Sequence, residues 1–284
     1  MTAAFERSFK EHLNLVARER HFTPAEVWHN VIAERFLVRL CKSPYRSRFI
    51  LKGGCLLARH IEIGRETKDI DFAIQRLSNE ATRLQKVFAE IAAVHVDDGF
   101  LFSNPAVSSL DHLHMPYRGA HVNIEAYFGK FKFLLPVDLG FGDQVNVQEK
   151  EILLLSSSKG PLFEQSLTLN CYPMEFIFAE KLETAIFRGV ENTRMKDYHD
   201  LYTLVSSRKA LHGEKTESAV RAVFSHRKTV LALPIRFSVD ICKVLQTHWG
   251  KYRQAAMNLE TLPSHIDEVI ARVNQWLVSN TGFR

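Results

Sequence analysis

The sequence has few cysteines, and they lie far apart. Cys41, Cys55, Cys171 and Cys242 form no Cys-x-x-Cys pair. This spacing does not indicate a zinc site or a disulfide framework. We interpret the four residues as reduced thiols, which are typical of a cytoplasmic protein.

Long apolar runs are also missing. No segment approaches the about 18 apolar residues that a membrane-spanning helix needs. The first 20 residues, MTAAFERSFKEHLNLVARER, are charged and lack the apolar core of a signal peptide. We find no internal repeat and no low-complexity tract. These absences predict a soluble cytoplasmic protein without membrane association.

The composition is that of an ordinary globular protein with a basic balance. The 284 residues are 46% hydrophobic and 24% charged, which allows one large domain or two modest ones. The formal net charge is +5 and the isoelectric point is near 9.0. A basic chain favours a polyanionic partner such as a nucleic acid, although most of its charges can simply be solvated.

Residues 49–74 are the most informative segment. The apolar residues Phe49–Leu51 predict a strand, which leads into Lys52, Gly53 and Gly54 and then into a short helix. A Gly-Gly turn that opens a helix lets backbone N–H groups approach a phosphate closely, because no Cβ stands in the way. The same dipeptide is also common in plain turns.

An Asp-x-Asp pair follows this turn. If Asp69 and Asp71 lie on a strand, both carboxylates share one face and are roughly 6.6 Å apart along the chain. Two hard oxygen ligands at this spacing suit Mg²⁺, which binds a few carboxylates together with substrate phosphates. The residues after Asp71 are Phe72, Ala73 and Ile74, so the pair lies where a strand becomes buried. The plain alternative is a solvated strand end.

Some phosphatases of the haloacid dehalogenase type also use Asp-x-Asp. Their chemistry needs an apolar strand before the first aspartate, whereas here Asp69 follows the polar residues Arg65–Lys68. This placement disfavours the phosphatase. In the same loop, Arg65 and Thr67 add a cation and a hydroxyl close to the carboxylates.

The hydrophobic pattern predicts an α+β fold. Thr23 and Glu26 form a capping box with Pro24 at the first helical position, so a helix should start there. Residues 100–147 read as strands, and the pattern after Pro173 is helical. The serine-rich stretch Ser156–Pro161 is the best linker candidate. We therefore predict a head over residues 1–155 and a helical domain over residues 156–284.

Four blocks resemble a known family in the same order. They are LKGG (Leu51–Gly54), RETKDID (Arg65–Asp71), VDLGFGD (Val137–Asp143) and AEKLETAIFRGVENTRMKDYHDL (Ala179–Leu201). Together they resemble the AbiEii/AbiGii nucleotidyltransferase toxins, over about residues 25–205. This family is part of the DNA polymerase β-like superfamily, and its MenT-type relatives add nucleotides to tRNA 3′ ends. The superfamily usually has Gly-Ser where this chain has Gly-Gly, a change that is common in the AbiEii branch.

The resemblance implies a fold and a metal site. It implies a polymerase β-like head with a mixed sheet, and a helical domain that completes the active-site cleft. It also implies two Mg²⁺ ions, with Mn²⁺ as an alternative, held by three carboxylates. Asp69 and Asp71 match the first two. Asp138 is our choice for the third, because VDLGFGD resembles the family's acidic strand, and Glu125 is the alternative. Pro136, near Asp138, suits an edge or bulged strand.

The last block supplies the second group of expected site residues. On their spacing alone, Arg194, Asp197 and Asp200 could form ordinary salt bridges on one helix. The resemblance implies instead that Lys181 and Asp197 are catalytic, beside Asp69 and Asp71. The residues that we expect to bind the nucleotide are Lys52, Gly53, Gly54, Arg65, Thr67, Arg188, Arg194 and Asp200.

The resemblance also implies a function. The expected enzyme transfers NMP from an NTP to RNA, at the tRNA 3′ end, as the toxin of a toxin–antitoxin or phage-defence system with a cognate antitoxin. The alternative is a non-catalytic member that binds NTP or RNA and pairs with an antitoxin protein.

Overall fold

The computed structural model describes residues 2–110, 119–142, 147–207, 210–255 and 262–283. It is an α+β fold with a mixed sheet followed by helices, as the sequence predicts. The chain forms two compact units. The first contains Met1–Arg59 and Glu66–Tyr172, and the second contains His60–Arg65 and Pro173–Arg284.

The first unit carries the sheet. Its helices are α1 (Ala3–Glu19), α2 (Pro24–Lys42), α3 (Gly53–His60) and α4 (Ala81–Ala92). Its strands are β1 (Phe49–Lys52), β2 (Ile70–Ile74), β3 (Phe100–Leu110), β4 (Gly119–Phe128), β5 (Phe131–Phe141), β6 (Gln148–Leu153), β7 (Ser156–Ser157), β8 (Gly160–Pro161) and β9 (Ser166–Cys171). Within the described residues, the main sheet has seven strands in the order β3-β4-β5-β2-β1-β9-β6.

The sheet is mixed because two of its strand pairs are parallel. β2 pairs with β5 in parallel, and β1 pairs with β9 in parallel. The other neighbours, including the β4–β5 hairpin, are antiparallel. The central strands β1 and β2 are almost continuously buried, as expected for strands that lie inside a sheet.

Helix α2 begins as the sequence predicts. The Thr23 hydroxyl accepts from the Glu26 N–H at 3.2 Å, and the Glu26 carboxylate accepts from the Thr23 N–H at 2.7 Å. Further along α2, buried Glu34 pairs with Arg59 of α3 and accepts from the backbone N–H of Leu155. This pair helps to hold α3, the helix that follows the Gly-Gly turn, within the first unit.

The second unit is helical in its described part. It contains α5 (Met174–Arg188), α6 (Met195–Ser206), α7 (Gly213–Arg227), α8 (Val239–Ala255) and α9 (Ile266–Asn280). The apolar face that the sequence predicts for the last helix is confirmed. The residues of this face are all buried: Ile266, Val269, Ile270, Val273 and Leu277. Among the described helices, none has both the length and the apolarity to cross a bilayer.

The division between the units differs from the boundary expected after residue 155. Ser156–Pro161 is not a linker: its two ends pair as a small hairpin of the first unit, and Ser157 Oγ lies 2.8 Å from His12 Nε2. Strand β9 then pairs with β1 and β6, so the first unit extends to Tyr172. Turn residues alone did not show this, because the pairing of β9 depends on strands far away in the sequence.

Candidate active site

Asp71 lies inside β2, and Asp69 lies one residue before its start. On either side of Asp71, Ile70 and Phe72 are fully buried, whereas Asp71 is half-buried. Successive side chains of a strand point to opposite faces, so Asp71 lies on the face opposite to Ile70 and Phe72. The structure places only Asp71 of the Asp-x-Asp pair on the strand, and Ala73, on the same face as Asp71, is buried.

Asp71 belongs to a row of polar residues that crosses four strands. It is the register partner of Asp138 on β5 and of Lys52 on β1. Asp138 is in turn the partner of His121 on β4. Directly paired residues on neighbouring strands point to the same face of a sheet. The row Lys52, Asp71, Asp138 and His121 therefore brings two carboxylates together from segments that are 67 residues apart in the chain.

His121 also belongs to this row, and the sequence analysis did not predict it. Its Nδ1 lies 2.6 Å from Asp138 Oδ1. The sequence does contain a pattern that predicts this pairing, because the tight turn at Gly129 pairs Phe128 with Phe131. Counting back along both strands of that hairpin places His121 opposite Asp138 without further information.

The same hairpin register places Glu125 elsewhere. Its partner is Leu134, four residues along β4 from His121 and so about 13 Å away. The Glu125 carboxylate accepts from Lys132 at 2.6 Å, from Tyr127 at 2.6 Å and from Asn104 at 2.8 Å. These hydrogen bonds, the Lys132 one foremost, lower the pKa of Glu125 to about 2. Glu125 is thus in an ion-pair network away from Asp71, whereas Asp138 lies beside Asp71.

Gly53 packs directly against Asp71. Its φ is +65°, and a Cβ at this position would lie 2.0 Å from Asp71 Oδ2. Only glycine allows this backbone conformation together with this close approach. Gly54 follows as a buried residue in the first turn of α3. The Gly-Gly turn therefore brings the start of a helix next to a carboxylate, and its second function, contact with a phosphate, stays a prediction.

Three other residues of this segment were predicted to bind the nucleotide: Lys52, Thr67 and Arg65. Lys52 Nζ lies 5.1 Å from the centre of the Tyr172 ring. Thr67, in the loop before Asp69, has a buried hydroxyl without a hydrogen-bond partner among the described residues. Such an orphaned polar atom is uncommon and often marks a place where a ligand or water belongs. Arg65 is part of the second unit.

The acidic side chains of this region have the oxygen donors that a divalent cation needs. Asp69, Asp71 and Asp138 supply the hard oxygen donors that Mg²⁺ prefers. Among the described residues, however, no three His, Cys, Asp or Glu side chains converge as the ligands of a closed metal site do. Mg²⁺ usually keeps several water molecules and substrate phosphates as ligands, so it needs only a few carboxylates from a protein.

The second group of predicted residues forms a buried charge network within the second unit. Lys181 Nζ lies 2.8 Å from Asp197 Oδ1 and 2.8 Å from Asp200 Oδ2. Arg65 donates twice to Asp200, at 2.7 Å and 2.6 Å. Arg194 Nε donates to Asp197 Oδ2 at 2.8 Å. Both carboxylates are almost completely buried.

The charges in this network stabilise one another. Burial by itself disfavours the Lys181 ammonium, but Asp197 and Asp200 outweigh it and raise the pKa of Lys181. Burial likewise opposes the Asp197 carboxylate, and Lys181 and Arg194 nevertheless lower its pKa. For the neighbouring His199, burial outweighs the opposing attraction of Asp200 and lowers the pKa to about 4. Lys181 and its carboxylates are therefore charged at neutral pH.

The hydrogen bonds from Arg65 to Asp200 join the sequence block that begins at Arg65 to the block Ala179–Leu201. Arg65 ties the segment His60–Arg65, which begins at the last residue of α3, to Asp200 of α6 within the second unit. Arg188, which we expected beside Lys181, has a buried Nε without a hydrogen-bond partner among the described residues. The structure shows Lys181, Asp197, Asp200, Arg194 and Arg65 together. Contact of these residues with a nucleotide stays a prediction.

A sequence profile of a known family covers most of the chain. The family is described as "Nucleotidyl transferase AbiEii toxin, Type IV TA system", and its profile matches residues 35–272. The chain belongs to the AbiEii nucleotidyltransferase family. This AbiEii protein is therefore a nucleotidyltransferase of a family of toxins from type IV toxin–antitoxin systems. The match includes all residues that we selected in the carboxylate row and in the Lys181 network.

Two solved structures from Helicobacter pylori are similar to this AbiEii protein at a distance. One, described as a candidate nucleotidyltransferase, is 14% identical, with a TM-score of 0.48 over 91% of this chain and 95% of the other. The second, JHP933, is 14% identical, with a TM-score of 0.46 over 90% and 92%. No curated protein matches the chain significantly.

Proposed function

We propose that this AbiEii protein transfers NMP from an NTP to the 3′ end of an RNA, with tRNA as the acceptor, in a reaction that depends on divalent metal. The observation that carries the proposal is the direct pairing of Asp71 with Asp138, next to the close approach of Gly53. In the transfer, the acceptor hydroxyl oxygen bonds to the α-phosphorus, the bond between the α- and β-phosphates breaks, and pyrophosphate leaves.

The residues of the first unit have distinct parts in this proposal. Asp69, Asp71 and Asp138 would hold Mg²⁺, with Mn²⁺ as an alternative. Such ions, when bound, neutralise phosphate charge and favour deprotonation of the attacking hydroxyl. Gly53 and Gly54 lack a Cβ, so they would let a phosphate approach the backbone N–H groups at the start of α3. Lys52 supplies a positive charge on the same row as the carboxylates.

The residues of the second unit would act through charge. Lys181 has a raised pKa and is held between two carboxylates, so its position is well defined. We propose that its ammonium, together with Arg188 and Arg194, neutralises the triphosphate. Asp197 and Asp200 are positioning residues in this proposal, since they hold Lys181 and Arg65.

The biological part of the proposal is an RNA-directed toxin that acts in the cytoplasm and is counteracted by a cognate antitoxin. The family supports the toxin and the antitoxin. The net charge of +5 suits a polyanionic acceptor. The cysteines Cys41, Cys55, Cys171 and Cys242 are all free thiols, which suits a reducing compartment.

The test is transfer of label from each of the four α-³²P-labelled NTPs to purified bulk tRNA, with Mg²⁺ or Mn²⁺. We expect the wild type to label tRNA and Asp71→Asn to lose this activity. Asp240→Asn is the matched control, because the Asp240 side chain is 92% exposed and pairs only loosely with Lys243. Labelling that survives in both Asp69→Asn and Asp71→Asn would contradict the proposed site.

The alternative is a family member that binds NTP or RNA without transferring a nucleotide and that pairs with an antitoxin protein. Retained NTP binding without label transfer, for all four NTPs and both metals, would support this alternative.

A further inference from the structure

His121 is placed on the far side of Asp138 from Asp71. The order of the three strands is β4-β5-β2, so His121 and Asp71 flank Asp138 in the same row. Ala120 and Val122, the neighbours of His121 on β4, are buried in the core. The imidazole therefore points to the opposite face, which is the face of the carboxylates.

The contact between the two side chains fixes one of the carboxylate oxygens. His121 Nδ1 is 2.6 Å from Asp138 Oδ1, and the side chains are 26% and 36% exposed. An ionised carboxylate only accepts hydrogen bonds, so Nδ1 must donate. With Oδ1 held from the β4 side, rotation of the Asp138 carboxylate is restricted and Oδ2 remains for another ligand.

We propose that His121 is a positioning residue that orients Asp138 for a divalent cation. This inference rests on the proposed function, in which Asp138 is a metal ligand. Carboxylates that bind metals are commonly held by such outer hydrogen bonds, and losing one typically costs about 10- to 100-fold in metal affinity or activity. His121 itself contacts neither metal nor substrate in this proposal.

A purely structural cross-strand contact is the competing explanation. The same two strands offer a matched comparison, because Lys132 on β5 pairs with Glu125 on β4 at 2.6 Å. Both pairs join β4 to β5 and both are partly exposed. If a cross-strand ion pair only stabilises the hairpin, both pairs should affect stability and neither should affect metal binding.

The experiment measures binding of Mn²⁺ alone to the full-length protein by calorimetry and by the electron paramagnetic resonance of free Mn²⁺. We expect His121→Ala to weaken Mn²⁺ binding about 10- to 100-fold. Lys132→Ala should bind as the wild type does. Melting temperatures of all variants are recorded without metal, so that any effect on folding is seen separately.

Two conservative variants keep the inference testable if His121→Ala folds poorly. The amide nitrogen of asparagine can take a place similar to that of Nδ1, whereas glutamine carries its amide further from the backbone. We expect His121→Asn to retain most of the Mn²⁺ affinity and His121→Gln to lose it. Equal Mn²⁺ affinities for these two variants would overturn the positioning role.

Variants of the carboxylates separate this inference from the proposed function. If Asp71→Asn and Asp138→Asn lose Mn²⁺ but His121→Ala binds like the wild type, only the role of His121 is wrong. If both carboxylate variants bind Mn²⁺ like the wild type, the proposed metal site is wrong and the role of His121 with it.

Discussion

Asp71 of β2 lies directly opposite Asp138 of β5, in parallel register. Like charges directly opposite each other on neighbouring strands destabilise a sheet. A sheet that needed only stability would have little reason to place them together. In the proposed function a bound cation offsets this repulsion, and four predictions test the residues around the pair and the charges of the second unit.

The first prediction concerns Gly53. An alanine there would be strained at a φ of +65° and would press its Cβ against Asp71. We expect Gly53→Ala to reduce nucleotidyl transfer on the order of 100-fold, since small displacements of catalytic groups have effects of this size. Gly189→Ala is the control: its φ is +47°, but an added Cβ meets nothing within 4 Å. It should lose about 1–3 kcal/mol of stability, because its φ of 47° and ψ of −118° favour glycine, and it should keep its activity. Equal activity in both variants would show that the Gly53–Asp71 contact is unimportant.

The second prediction separates the two candidates for the third carboxylate. Asp138→Asn should abolish transfer, because Asp138 shares its row with Asp71. Glu125→Gln should retain transfer, because Glu125 is occupied by Lys132 and Tyr127. Initial rates at saturating NTP and metal decide between them. The reverse result, with activity lost only in Glu125→Gln, would show that Glu125 is the third carboxylate.

The third prediction concerns the stability of the Lys181 network. Lys181→Met would leave two buried carboxylates without their shared ammonium, and breaking a buried pair typically costs about 3–5 kcal/mol. Lys243→Met, in an exposed pair with Asp240 at 3.4 Å, should change the unfolding free energy by less than about 1 kcal/mol. Urea unfolding measures both. A fully stable Lys181→Met would mean that the network is not structural, and any loss of its activity would then report on catalysis alone.

The fourth prediction is a pH dependence of stability that arises from His199. Burial lowers its pKa to about 4, from 6.5 in the unfolded chain. Below pH 6.5 the unfolded chain binds a proton that the folded protein excludes. The free energy of unfolding therefore decreases as the pH is lowered from about 6.5 to about 4. Above this window His199 is neutral in both states and causes no loss of stability.

We expect His199→Asn to flatten the slope of unfolding free energy against pH in this window, measured by urea titration at several pH values. His226→Asn, at an exposed position, should leave the slope unchanged. An unchanged slope in His199→Asn would show that other groups cause the acid destabilisation.

Several features of the fold, and the burial around Asp71 in the candidate site, were predictable from short-range patterns. The buried neighbours of Asp71, the capping box at Thr23 and the apolar face of α9 all follow from alternation or from capping chemistry. These features depend on residues a few positions apart, so the local sequence is sufficient. The partner of His121 belongs to the same class, because the turn at Gly129 sets the hairpin register.

Three other features needed the tertiary structure. The parallel pairing of β2 with β5 skips over β3 and β4, β9 joins the sheet beside β1, and Arg65 reaches Asp200, which is 135 residues later. Each contact joins segments whose local patterns are compatible with several partners. Periodicity and turn residues indicate which face of a helix or strand is buried, but they do not indicate which element packs on that face. That choice depends on the packing of the whole core and on the pairing of buried charges.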